Sequence, residues 1–66
     1  MANMYFVSWE ITLANGNKRT FTRSYRNENE GRIMYRLKDG PKVSSIRLYC
    51  INPGERTVTT LAEKSR

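Results

Sequence analysis

A chain of 66 residues makes one domain, and a domain of that size buries only about 60% of its unfolded surface; with one cysteine and no histidine, disulfides and a structural metal are nearly excluded, which leaves association to support a small core. Twelve Lys and Arg against six Asp and Glu give a net charge of +6 and a pI near 10.0, which suits a partner rich in negative charge or, on the plainer reading, a solvated basic surface. The lone cysteine points to a reducing, cytoplasmic compartment, and Ser8 and Glu10 break the longest apolar-rich run far short of the ~20 residues of a membrane span.

From Tyr5 to Leu13 the odd positions Tyr5, Val7, Trp9, Ile11 and Leu13 are apolar, while Ser8, Glu10 and Thr12 are polar. This is the alternation of a half-buried strand. Asn15-Gly16 then signals a hairpin, and a second strand is predicted from Lys18 to Tyr25. A two-residue loop would set Phe21 opposite Glu10, on the wrong face. A three-residue loop, Ala14-Asn15-Gly16, sets Phe21 opposite Trp9 and Tyr25 opposite Tyr5, and is the expected turn. Arg19 and Arg23 then share the inner side, which places them at an end or edge of the sheet where their heads reach water.

The period changes between Asn27 and Asp39. Asn27 with Glu30 has the spacing of a capping box, Glu28 and Glu30 fall in the first turn, and Arg32, Arg36 and Lys38 lie further on, so the charges oppose the helix dipole. Gly40-Pro41 ends the helix. Ile33, Met34 and Leu37 form the expected apolar stripe, Gly31 allows close approach, and Arg32, Arg36 and Asp39 are expected to face outward.

Alternation returns from Lys42 to Ile51, with Ile46, Leu48 and Cys50 on one side and Val43, Arg47, Tyr49 and Ile51 on the other. Asn52-Pro53-Gly54-Glu55 predicts a type II turn. That turn pairs Ile51 with Arg56, Tyr49 with Val58 and Ile46 with Leu61, giving a fourth strand from about Arg56 to Leu61 and a short frayed tail from Ala62 to Arg66.

The predicted fold class is α+β: a ββαββ order giving a four-stranded, antiparallel-rich sheet with one helix on one face. One helix covers one face, yet Met4, Phe6, Val43, Tyr49, Ile51 and Val58 fall on the other. So apolar a surface usually marks an interface. Tyr49, Ile51, Val58 and Val43 are the expected partner-binding residues, and a homodimer or another protein is the expected occupant. The opposing reading, that one hairpin curls over the other, ranks second.

Chemistry is sparse. Without histidine the commonest general base is missing, and the sequence has no Gly-rich phosphate loop, paired-cysteine spacing or serine nucleophile motif. Cys50 shares its side with Ile46 and Leu48 and reads as a small buried hydrophobe. The carboxylates sit singly. No enzyme activity, cofactor or metal is expected.

Three binding classes follow. In element order and size the whole chain resembles the small accessory proteins that phages and prophages encode to dock on host enzymes or defence complexes. That resemblance implies a non-enzymatic module docking on a protein, an acidic one among the candidates, through an apolar sheet face or edge. The alternative is nucleic-acid binding, by Lys18, Arg19, Arg23 and Arg26 with Phe21, Tyr25 and Trp9 interleaved, and with Arg32, Arg36, Arg47 and Arg56 contributing. Aromatics needed as core cannot stack bases, and this ranks the alternative second. A hairpin holding Trp9 and Phe21 before an acidic-capped helix also resembles, over about half the chain, the sheet-plus-helix arm of phage-type integrases. That arm builds three strands before its helix where this chain supplies two, so no residue is carried over. The third class is a self-associating structural protein.

Overall fold

The first hairpin forms with the three-residue loop. In a computed structural model, which describes residues 3–65, β1 (Met4–Thr12) and β2 (Lys18–Tyr25) pair with Tyr5 opposite Tyr25 and Trp9 opposite Phe21. Gly16 takes φ +87°, the left-handed conformation such a loop requires at its last residue. Its N–H donates to the Leu13 carbonyl at 2.9 Å, and the Leu13 N–H donates to the Asn17 carbonyl at 2.7 Å.

The helix α1 (Glu28–Lys38) follows, then β3 (Val43–Asn52) and β4 (Thr57–Ser65). All four strands join one antiparallel sheet in the order β2-β1-β3-β4. The architecture is therefore the α+β, ββαββ arrangement the sequence predicts. Asn27 Oδ1 accepts the Glu30 N–H at 2.8 Å, closing the helix start, and Arg32 Nε donates to Glu28 at 2.7 Å one turn apart.

The helix rests on a different stripe from the one expected. Gly31 is buried, and a Cβ built there would lie 3.0 Å from Leu48 Cδ1 and 3.6 Å from Tyr5 Cβ, so the bare backbone fits down onto the sheet at this point. That contact turns the face carrying Gly31, Met34 and Tyr35 inward, at spacings of three and four residues. Of the predicted stripe only Met34 packs on the core, while Ile33 and Leu37 stay 57% and 69% exposed. Asp39 also departs from expectation. Its side chain is only 14% exposed and meets Lys64 Nζ at 3.1 Å, which ties the helix end to β4.

The core is a narrow strip of β1 and β3. Val7 and Leu48, directly opposite one another, are fully buried, and Ile46, Val43 and Cys50 complete the buried set among the described residues. Two bulges shape it. In β3 the register shifts so that Glu10 pairs with Ser45 but Ile11 pairs with Val43, leaving Ser44 as the extra residue. Val43 is thereby moved from the side its parity predicts to the helix side, where it is buried. In β4, Leu48 pairs with Ala62 but Tyr49 with Thr60, so Leu61 is extra and packs with Ala62 against the core.

The second hairpin also corrects its prediction. Asn52 pairs with Thr57 across the four residues Pro53 to Arg56, and Gly54 does not take the positive φ of a type II turn. Arg56 takes it instead, at φ 55°, with its N–H donating to the Asn52 carbonyl at 2.8 Å, while Asn52 Oδ1 accepts from Gly54 and Glu55 N–H. Ile51 then lies opposite Val58 rather than Arg56. The longer loop lets β4 run on to Ser65, so Ala62–Ser65 is strand rather than frayed tail, and Arg66 lies outside the described residues.

Replacing Gly31 by valine is expected to lower stability by about 1–3 kcal/mol, since the new carbons crowd the fully buried Leu48. Gly40→Ala, with open space around its Cβ, is expected to stay within about 0.5 kcal/mol of the parent. Urea unfolding followed by circular dichroism separates the two. In the same assay Asn27→Ala is expected to cost about 1 kcal/mol through loss of its cap.

Candidate functional site

Two surfaces remain after the core is formed, and they differ in kind. The first is the sheet face that α1 does not cover. Residues of alternate parity to Val7 and Leu48 lie here, and at one end they form an apolar cluster. The Phe6 and Tyr49 rings stack at 5.3 Å between centroids and 14° between planes. Ile51 lies opposite Met4 on one side and Val58 on the other. Met4 and Val58 are 40% and 54% exposed. Of the four predicted partner-binding residues the fold brings Tyr49, Ile51 and Val58 together, and the Ser44 bulge removes Val43. Met4 and Phe6 complete the cluster; the alternation of the first strand already sets them opposite Tyr5 and Val7.

The other end of this face is polar. Ser8, Glu10, Thr20, Ser45, Arg47 and Tyr49 border a shallow hollow of about 250 Å³ together with Trp9. Arg47 lies 4.8 Å from the Tyr49 ring centroid and donates from Nε to Thr60 Oγ1 at 3.0 Å. Thr22 donates to Ser8 Oγ at 3.2 Å. The charges on this face balance: Lys18 sits 3.6 Å from Glu10, and Arg47 lies opposite Glu63 in the register. The excess of positive charge is carried elsewhere.

The second surface is the flank formed by β2, an edge strand exposed along its length except at Tyr25. On its helix side run Arg19, Phe21, Arg23 and Tyr25, opposite Ile11, Trp9, Val7 and Tyr5. Phe21 stacks on Trp9 at 5.5 Å and 21° yet keeps 37% of its surface exposed. Lys38 Nζ stands 5.3 Å from the Trp9 ring centroid. Beside Tyr25, Glu30, Ile33 and Met34 line a shallow, mostly apolar hollow of about 150 Å³.

The eight cations predicted for nucleic-acid binding do not form one surface. Lys18 is held by Glu10 and Arg32 by Glu28. Arg47 belongs to the open face, Arg56 to the second hairpin loop, and Arg36 is exposed on α1. Arg19 and Arg23 remain on the β2 flank, with Arg26 just after the strand, and among the described residues none of the three enters an ion pair. The exposure of Phe21 escapes the sequence reading, because parity assigns it to the covered side and says nothing of how far one helix reaches.

Cys50 is buried on the helix side opposite Tyr5. Among the described residues no three metal-ligating side chains cluster, and no helix is long and apolar enough to cross a membrane. No family model, curated protein or solved structure matches the chain.

Proposed function

We propose that this chain is a non-enzymatic protein-docking module whose open sheet face seats against another protein surface, in the first place a second copy of itself. The observation that carries the reading is the cluster of Met4, Phe6, Tyr49, Ile51 and Val58, left uncovered on a face whose charges cancel. An acidic partner would be drawn to the arginines of the β2 flank, away from this cluster. A second copy meets no net repulsion here despite the +6 of the whole chain.

Size supports the same occupant. The molecule measures 42 × 21 × 16 Å, and its broad side is of the order of the ~800 Å² per partner found in stable complexes. A two-fold arrangement would set each apolar cluster against the same residues of the copy, the self-complementary pattern of symmetric dimers. The rims supply Lys18, Glu10, Arg47 and Glu63, two of each sign, for cross-pairing.

Sedimentation or light scattering across a concentration series tests this. The parent chain is expected to reach dimer mass at roughly 100 µM, and Val58→Lys or Tyr49→Glu to weaken the dimer by at least about 10-fold by placing like charges across the two-fold axis. A parent chain that stays monomeric throughout removes the second copy as occupant, and leaves the face to a heterologous surface of the same apolar, charge-balanced chemistry.

A further inference from the structure

We propose that the β2 flank binds single-stranded nucleic acid, with a base stacked on Phe21 and backbone phosphates held by Arg19, Arg23 and Arg26. The argument starts from the strand itself. Arg19, Phe21 and Arg23 occupy alternate positions of one edge strand, so they project to the same side with the aromatic ring between the two guanidinium groups. Over this stretch the two arginines stand about 13 Å apart along the strand, with a residue spacing of about 3.3 Å. Arg26 follows where the chain turns from β2 into α1.

Each component is suited to single-strand recognition. Guanidinium groups suit phosphate through paired N–H donors, and these three have no carboxylate partner among the described residues. Phe21 is the exposed aromatic of the flank, and Trp9 behind it fixes the ring's plane at 21° to its own. A base offers its π-face to a protein ring only when it is unstacked, which favours a single strand over a duplex. The duplex alternative would rest on the exposed side of α1, where Arg32 is already engaged by Glu28. Glu30, beside Tyr25, repels phosphate and limits the path on the helix side.

Basic residues on an edge strand also guard it against pairing with other strands. That role accounts for the arginines, and the Trp9 stack for one side of the Phe21 ring, but neither uses the ring surface still exposed between the arginines. An acidic protein segment likewise satisfies the arginines without using Phe21, so the ring decides between the readings. The flank lies on the helix side of the edge strand, so a second copy seated on the open face leaves it accessible.

The test is fluorescence anisotropy with short labelled oligouridine and oligodeoxythymidine, and with a duplex of matched length, over a salt series. Emission of Trp9, the chain's one tryptophan, gives a second reading next to Phe21. Expected are single-strand dissociation constants of roughly 1–100 µM at low salt and a log–log salt slope near −2, about −0.7 for each of three phosphates. Arg19→Gln and Arg23→Gln are each expected to reduce that slope by about 0.7. Phe21→Leu, which keeps an apolar side chain against Trp9, is expected to weaken binding about 10-fold, and Phe21→Ala by as much or more. Circular dichroism checks that every variant is folded. Absence of binding at low salt, tighter binding to the duplex, or unchanged affinity in a folded Phe21→Leu chain that heparin still competes for would each overturn the proposal.

Discussion

One helix must cover a sheet about twice its width. An α-helix is about 10 Å across with its side chains, and strands lie about 4.8 Å apart, so an 11-residue helix shields little more than two of four strands on a single side. The two it shields are β1 and β3, the centre of the sheet, and there Val7 and Leu48 lose all contact with water. Gly31 makes this possible by letting the helix backbone approach Leu48. Everything left bare by that arrangement, the opposite face and the β2 flank, is what the protein has available for binding. The radius of gyration, 12.6 Å against about 11 Å for a compact domain of this length, expresses the same imbalance of surface over core.

The bare surfaces are sorted by charge. On the open face cations and anions pair in number, Lys18 with Glu10 and Arg47 with Glu63. On the helix side of β2, Arg19 and Arg23, with Arg26 just after the strand, meet no acidic residue of that strand. A single patch doing both jobs would set the +6 of the chain against self-association and bury arginines at a cost of several kcal/mol each in lost hydration. Separation avoids this conflict. With the two separated, the apolar cluster could meet a neutral surface without repulsion while the arginines stay exposed to water.

Much of this was legible in the sequence, and the failures fall where a tertiary contact or an inserted residue overrides a local signal. Strand alternation, the Asn27 cap and the parity of Phe21 against Trp9 are local or nearest-neighbour signals, and they fix the element order and the first hairpin's register. The errors arise where one extra residue shifts a strand. Ser44 moves Val43 from the open face to the core, and Leu61 shifts the β3–β4 register by one residue. Nothing in composition marks either bulge, because a one-residue insertion in a strand leaves no local signal in the alternation on either side of it. The Pro53-Gly54 pair misled for a related reason. Asn52 Oδ1 captures the N–H groups of Gly54 and Glu55, which favours the longer loop and sends the left-handed conformation to Arg56. Ile33 and Leu37 lost their place in the core because Gly31 set the helix's rotation, a contact that hydrophobic periodicity cannot rank above bulk.

A core this small ties binding to folding. Few residues are fully excluded from water, so the free energy that holds the sheet together depends on how much of its second face is also covered. Any occupant of the open face binds the native chain and not the unfolded one, and so stabilises it in proportion to the logarithm of its concentration over its dissociation constant. The β2 flank couples differently. An anion there relieves repulsion among Arg19, Arg23 and Arg26 without burying apolar surface, an effect that salt screens within about 10 Å at 0.1 M. Occupancy of the face would therefore change how firmly β3 and β4 are held, and occupancy of the flank would act on β2, an edge strand exposed along nearly all its length. Both effects converge on β1, which pairs with β2 on one side and β3 on the other.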